Sequence, residues 1–355
     1  MSRLAKVTNW LQEKGLDAIL ITNLVHCDYL SGFSGTNACI LITGSGAKNF
    51  LITDFRYKEQ ALTEVKGFDL VQIKGTLFQT LADIFRSHAL KKVGIDEDDL
   101  SISKYKGLKK AVSEVTFYPV SDPCHQLRTV KDKAELESIK KAVEISDKAF
   151  LHILDFIHPG LTEREIALEL EFFMRRLGGT KNAFETIVAS GDRAALPHGV
   201  ASTRVIQDGD LLMMDFGTVY QGYHSDITRT LVLGKPNSLQ QERYNLILRA
   251  QEAVFQKIQP GMRACEADAI ARKVIEDAGC GEYFGHSLGH GVGLEVHEEP
   301  ALSPRDNTIL EPGMVATLEP GIYLSGWGGI RIEDLIVITP KGCERLTKSP
   351  KVFSI

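Results

Sequence analysis

Two rhythms of apolar residues divide the chain. Up to about residue 122, short β-rich runs such as DAILIT (17–22), ACILIT (38–43) and NFLITD (49–54) precede an amphipathic helical stretch, TLFQTLADIFRS (76–87), and a further apolar run in KKVGID (91–96). That alternation predicts an α/β domain. The polar segment SDPCHQLRTVKDKAEL (121–136) contains Pro123, and a long helical pattern starts behind it near Ala134. The boundary is therefore expected within residues 121–130, with domains over 1–125 and 126–355.

The second part contains an internal repeat. Ile157-His158-Pro159-Gly160 precedes one amphipathic helix, and Ile258-Gln259-Pro260-Gly261 precedes another about a hundred positions later. Each copy then ends in a predicted β-hairpin with two carboxylates: Asp215 and Asp226 in LLMMDFGTVYQGYHSDITRTLVL, Glu319 and Glu333 in MVATLEPGIYLSGWGGIRIEDLIVI. His198 in LPHG and His297 in EVHEEP stand at matching points of the copies. Two half-domains related by a pseudo-two-fold axis are expected, with four helices on one face of a curved antiparallel sheet. Thr162-x-x-Glu165 and Ser238-x-x-Gln241 read as capping boxes ahead of two of those helices.

Composition narrows the function classes. The chain has 355 residues, enough for two cores, and its 41 basic and 46 acidic residues give a formal charge of −5, which offers no case for nucleic acid or an anionic membrane as partner. The first residues mix Lys, Asn, Gln and Glu with apolar positions, and no apolar run approaches membrane-spanning length. Six cysteines without a C-x-x-C pair favour free thiols, hence a cytoplasmic protein.

The candidate chemistry follows from the hairpins. Asp215 ends an apolar strand, where an uncompensated charge is costly to bury. A turn at Tyr220–Gln221 would set Asp226 directly opposite it, roughly 5 Å away between Cβ atoms. A turn centred on Gly326 would likewise set Glu319 opposite Glu333. Taken singly, each carboxylate reads as a solvated strand residue or half of a salt bridge. Four in apolar strands at matching offsets call for two divalent cations roughly 3.5–4 Å apart. His290, in GHSLGHGVG, can supply one nitrogen, and Gly289, Gly291 and Gly293 permit close backbone approach. Arg331, two residues before Glu333 and on its sheet face, suits either a ligand-orienting donor or a surface ion pair. Thr228 is grouped with it as outer support.

In FETIVASGDRAALPHG, MDFGTVYQGYHSDITRT, HSLGHGVGLEVHE, TLEPGIY and GGIRIED, the chain resembles the proline-specific peptidases of the pita-bread metallopeptidase family, which includes prolidase and aminopeptidase P. The resemblance implies a creatinase-type α/β N-terminal domain, an α+β pita-bread catalytic domain and a homodimer. It implies that Asp215 chelates one metal ion, that Asp226 and Glu333 bridge two, and that His290 and Glu319 complete the other. Manganese is the expected metal, with cobalt or zinc as alternatives. Glu319 would be the proton acceptor, and His198 and His297 would assist at the substrate backbone. The implied substrates are peptides with proline in second position. Prolidases often carry an arginine just after the His-Glu-x-Pro stretch, where this chain has Ala301, with Arg305 four positions on. An Xaa-Pro aminopeptidase that also accepts dipeptides is therefore expected, ahead of a strict Xaa-Pro dipeptidase. A metal-free peptide-binding module ranks last, because all five ligands are present.

Overall fold

A computed structural model describes residues 1–121 and 123–355, so Asp122 of the polar segment lies outside the described residues. The chain divides into two compact units, Met1–Leu127 and Arg128–Ile355. Among the described residues, no helix is long and apolar enough to cross a membrane, and all six cysteines are free.

The first unit runs α1 (Arg3–Lys14), β1 (Ala18–Ile21), α2 (Leu24–Ser31), β2 (Ala38–Thr43), β3 (Phe50–Thr53), α3 (Lys58–Glu64), β4 (Asp69–Gln72), α4 (Leu77–Ser87), β5 (Lys92–Asp96), α5 (Ile102–Ala111) and β6 (Thr116–Val120). The helix α6 (Pro123–Thr129) starts in this unit. The apolar runs read from the sequence are β1, β2, β3 and β5, in a six-stranded sheet of order β4-β3-β2-β1-β5-β6. Parallel pairs join β1 to β5 and β5 to β6. TLFQTLADIFRS forms α4, capped by Thr76 and Gln79 in a reciprocal box, and its buried Leu81 and Phe85 pack on Leu20, Leu41 and Val93.

The second unit begins with α7 (Lys133–Phe156) and α8 (Glu163–Arg176), then β7 (Lys181–Asn182), β8 (Ile187–Ser190), β9 (Leu211–Phe216), β10 (Thr218–Tyr220), β11 (Tyr223–His224) and β12 (Ile227–Val232). The second copy follows with α9 (Ser238–Phe255), α10 (Ala264–Asp277), β13 (Gly289–Gly291), β14 (Glu298–Leu302), β15 (Val315–Leu318), β16 (Gly321–Leu324), β17 (Gly328–Arg331), β18 (Asp334–Thr339) and β19 (Gly342–Arg345). Antiparallel sheets of order β12-β9-β8 and β14-β13-β15-β18-β19 carry the two halves. Strand β9 is buried on both faces, as its unbroken LLMMDF implies. Leu212, Met214 and Phe216 join Phe150, Ile153, Ile166 and Leu170 of α7 and α8, whereas Leu211 and Met213 join Ile247, Val254 and Ala271 of α9 and α10. Asp215 shares the face of Leu211 and Met213.

The Thr162–Glu165 capping box forms as expected. The Ser238–Gln241 box does not. Asn237 is the N-cap, its Oδ1 accepting from Gln240 N at 2.9 Å while Gln240 Oε1 accepts from Asn237 N at 2.9 Å. NSLQQ offers the S/T/N-x-x-Q pattern in two registers. The earlier one wins because Gln240 Nε2 also donates to Gly209 O.

Candidate metal centre

The second hairpin has the expected register. Leu318 pairs with Asp334 and Gly321 with Arg331, and Ile332 N donates to Pro320 O between the two ladders. Glu319 and Glu333 thus hold opposing positions about a turn centred on Gly326, whose φ of +77° only glycine adopts readily. The first hairpin departs from expectation. Tyr220 pairs with Tyr223, so the turn is Gln221–Gly222, with φ of +49° and +84°. Two positive-φ residues match the right-handed twist of the flanking strands. Moving the turn one residue along the chain moves the pairing by two. Thr228, not Asp226, faces Asp215, and Asp226 is its diagonal neighbour on the same side.

His290 lies on β13, between β14 and β15. The flanking glycines do let backbone approach closely, and the neighbour is the sheet itself: a Cβ on Gly289 would lie 2.1 Å from Thr317 O, and one on Gly291 2.3 Å from Glu299 O. His290 N donates to Thr317 Oγ1 at 3.0 Å, and Thr317 Oγ1 donates to Glu319 Oε1 at 3.1 Å. The Nδ1 of His290 lies 3.1 Å from Gly291 O, which can only accept, so Nδ1 carries the proton. Burial holds the imidazole's pKa below its ordinary value, which keeps the ring neutral. Its Nε2 lone pair therefore points at Glu319 Oε1, 3.3 Å away, and Asp226 Oδ2, 3.7 Å away.

A lone pair facing two carboxylates is repulsive unless a cation or a proton lies between them. Ligand atoms of Asp226, His290 and Glu333 all fall within 4.8 Å of one another, the reach of a single ion. Two carboxylates at that separation repel by about 3 kcal/mol at an effective dielectric of 20. Asp215 adds the same signal: its Oδ1 is buried without a hydrogen-bond partner among the described residues, while Oδ2 accepts from Arg331. Arg331 is no surface ion pair. It is 3% exposed and also donates to Thr228 Oγ1 at 3.0 Å, Pro197 O at 3.1 Å and Tyr323 Oη at 2.7 Å. Thr228 Oγ1 in turn donates to Glu333 Oε2 at 2.6 Å. The five residues offer hard oxygen donors and one nitrogen, a set that fits divalent cations.

In the metal-free protein, burial pushes the carboxyl pKa values of Asp226 and Glu333 well up, and the neighbouring carboxylates push them further. Burial raises Glu319 as well. The unfolded chain releases these protons from about pH 4, whereas the folded chain keeps them longer, so stability falls as pH rises above that value. The depressed histidines His286, His290 and His297 act oppositely near pH 6. Comparison with a single variant separates the two effects. Glu333→Gln is expected to raise the metal-free melting temperature at pH 8 by about 2–4 °C for each kcal/mol of relieved repulsion, with the gain vanishing towards pH 4. Calorimetry across that range decides it, and a variant less stable than wild type at pH 8 would contradict the assignment.

These residues line a cavity of about 690 Å³ together with His198, His297, His286 and Tyr323. The rings of His290 and His297 meet edge to face with centroids 4.2 Å apart. Burial, with His290 and His198 nearby, lowers the pKa of His297. His286 and Tyr323 carried no role in the sequence reading. The Nε2 of His286 lies 3.0 Å from Tyr323 Oη, and burial lifts the phenol to about 12. His286 precedes His290 by four in GHSLGH, the one available signal. The polar segment before α7 also holds a surprise. Arg128 and Lys131 are buried and both pair with Glu298, Lys131 at 3.2 Å, which fixes the residue after His297. Ala301 lines the cavity directly opposite His290. Arg305 is exposed and is not among the lining residues, so it does not stand in for the missing arginine.

The sequence matches the family model described as metallopeptidase family M24 over residues 137–340, and that described as the creatinase/prolidase N-terminal domain over residues 3–130. The chain belongs to metallopeptidase family M24. Its fold is accordingly a creatinase-type domain followed by a pita-bread domain. A solved structure named Xaa-Pro dipeptidase from Bacillus anthracis is 45% identical, with a TM-score of 0.96 and 99% of each chain covered. The Xaa-Pro dipeptidase of Pyrococcus furiosus is 42% identical over 98% of both chains. A structure named X-Pro aminopeptidase from Thermotoga maritima is also 42% identical, with a TM-score of 0.90, covering 96% of this chain and 98% of its own. As an M24 metallopeptidase, the protein is an enzyme that uses divalent metal.

Proposed function

We propose that this M24 peptidase hydrolyses Xaa-Pro dipeptides. The observation that carries the reading is the neutral His290 whose lone pair meets Asp226 and Glu319 inside a peptide-sized cavity. The names of the relatives favour the dipeptidase over the aminopeptidase that the sequence alone put first. Asp215, Asp226, His290, Glu319 and Glu333 would hold two divalent ions, manganese first because four carboxylates make the set hard. Such ions, when bound, lower the pKa of a water and polarise a carbonyl.

The protein's own groups do the rest. Glu319, its Oε1 held by Thr317 and 3.3 Å from His290 Nε2, is suited to accept a proton from the attacking water. Arg331 holds Asp215 in place and, through Thr228, braces Glu333. His198 and His297, both at the cavity wall, donate to the peptide carbonyl and to the oxyanion that forms from it. A homodimer and a cytoplasmic location complete the proposal, the first resting on the family resemblance and the second on six free cysteines. Light scattering and fractionation test them.

A second reading, cleavage of longer Xaa-Pro-Yaa peptides, has one observation in its favour. Arg331 is the sole cation among the described residues that line the cavity, and its donors are engaged within the protein. Manganese-loaded enzyme is expected to cleave dipeptides with kcat/KM at least about tenfold above matched tripeptides, followed by mass spectrometry. Preference for tripeptides would establish the second reading. Ala301→Arg places a guanidinium opposite His290 and should raise the dipeptide-to-tripeptide ratio about tenfold or more, the worth of one charge-assisted hydrogen bond. Arg305→Ala should leave that ratio unchanged.

A further inference from the structure

A second cluster of ligating side chains stands apart from the catalytic residues, within the first unit. Strands β1, β5 and β6 are consecutive parallel neighbours, and their carboxyl ends are Ile21, Asp96 and Val120. His26, on α2, follows the end of β1 by five residues. His125, on α6, follows the end of β6 by five, and Asp96 is itself the last residue of β5. In open α/β sheets the crevice beyond the carboxyl ends of parallel strands is where ligands bind. Here each of the three strands delivers one ligating residue to it.

One ligand atom from each of His26, Asp96 and His125 lies within 4.8 Å of the other two. The two imidazoles stand edge to face with centroids 4.6 Å apart. His26 is wholly buried and Asp96 is 1% exposed, whereas His125 is half-buried and leaves the cluster an approach from solvent. The site is also braced. Asn23 Oδ1 accepts from His26 N at 3.2 Å in the first turn of α2, and Asp96 Oδ1 accepts from Asp98 N at 3.1 Å. Two imidazoles and one carboxylate are the donor set of a four-coordinate zinc site that keeps one position for water.

We propose that His26, Asp96 and His125 bind a single zinc-class divalent ion that fastens α2 and α6 to the end of β5. The set differs from the catalytic one in having two nitrogens to one oxygen, which selects a softer ion than four carboxylates do. An ion held by residues from three elements stabilises the folded arrangement that brings them together.

The test uses Zn2+ alone, titrated by equilibrium dialysis into metal-free full-length protein carrying Asp226→Asn and Glu333→Gln to weaken the catalytic centre. One tightly bound ion per chain is expected, and adding His125→Gln should weaken its binding at least about tenfold. In otherwise wild-type enzyme, His125→Gln should leave peptide turnover unchanged. No tight ion, or binding indifferent to His125→Gln, overturns the proposal. Should the His125 variant fail to fold by circular dichroism, X-ray absorption at the zinc edge of the parent variant decides. A shell with two imidazoles supports the site. A shell with a single imidazole, as the catalytic centre offers, or with sulfur from the adjacent Cys27 or Cys124, refutes it.

Discussion

Glu333→Gln and Asp226→Asn are each expected to lower turnover of Xaa-Pro dipeptides at least about 1000-fold in manganese-supplemented enzyme, and to reduce the bound metal below two ions per chain. Each change keeps the shape of the side chain and removes one negative charge from a buried cluster whose ligand atoms lie within 4.8 Å. The amide oxygen introduced by Glu333→Gln can still accept from Thr228, so folding is not at risk from a lost hydrogen bond. The same substitution that stabilises the metal-free protein at pH 8 should therefore disable the enzyme. That opposition is the signature of carboxylates assembled for a cation, since residues kept for the fold would lose stability and activity together. Metal analysis of the purified variants, beside their kinetics, is the measurement. Near wild-type turnover with two ions bound in either variant would remove that residue from the ligand set.

Much of this arrangement is legible in the sequence because a β-hairpin converts spacing into opposition. Gly326 marks the centre of the second hairpin, since its backbone conformation excludes most other residues, and the opposition of Glu319 and Glu333 follows from counting outward. The first hairpin has its glycine, Gly222, as the second of two turn residues, where it does not mark the centre. Its turn begins at Gln221, which adopts φ of +49° although it departs from the usual Asn-Gly or Asp-Gly preference, and the count outward from Tyr220–Gln221 misplaces Asp226 by two positions. Contacts made across long separations leave no local trace. Tyr323 acquires its place from His286, 37 residues away, and from Arg331. Arg128 and Lys131 have the composition of a solvated linker, and the arrival of Glu298, 170 and 167 residues later, with Glu295 2.8 Å from Arg128, makes their burial possible.

The remaining large effect falls on Glu319. If this residue accepts the proton of the attacking water, Glu319→Gln should lower kcat by about 100-fold to 10,000-fold, the range that a positioned general base contributes. The difficulty is that Glu319 also faces His290 Nε2 at 3.3 Å, so its loss as a ligand alone could slow the enzyme. The two roles separate in the pH profile. A base must lose its proton before it can act, so the acid limb of kcat against pH reports the ionisation of the group that serves. The amide in the Glu319→Gln variant has no such proton. With manganese at saturating concentration and two ions verified, the variant should keep a residual rate that lacks this acid limb and should show KM within a few-fold of wild type. Restoration of wild-type kcat by excess manganese would instead make Glu319 a ligand only, and the proton would have to go to another group. His297 is next in line, since burial keeps it neutral and its ring contacts His290 at the cavity wall. An unaltered acid limb in Glu319→Gln would point to it.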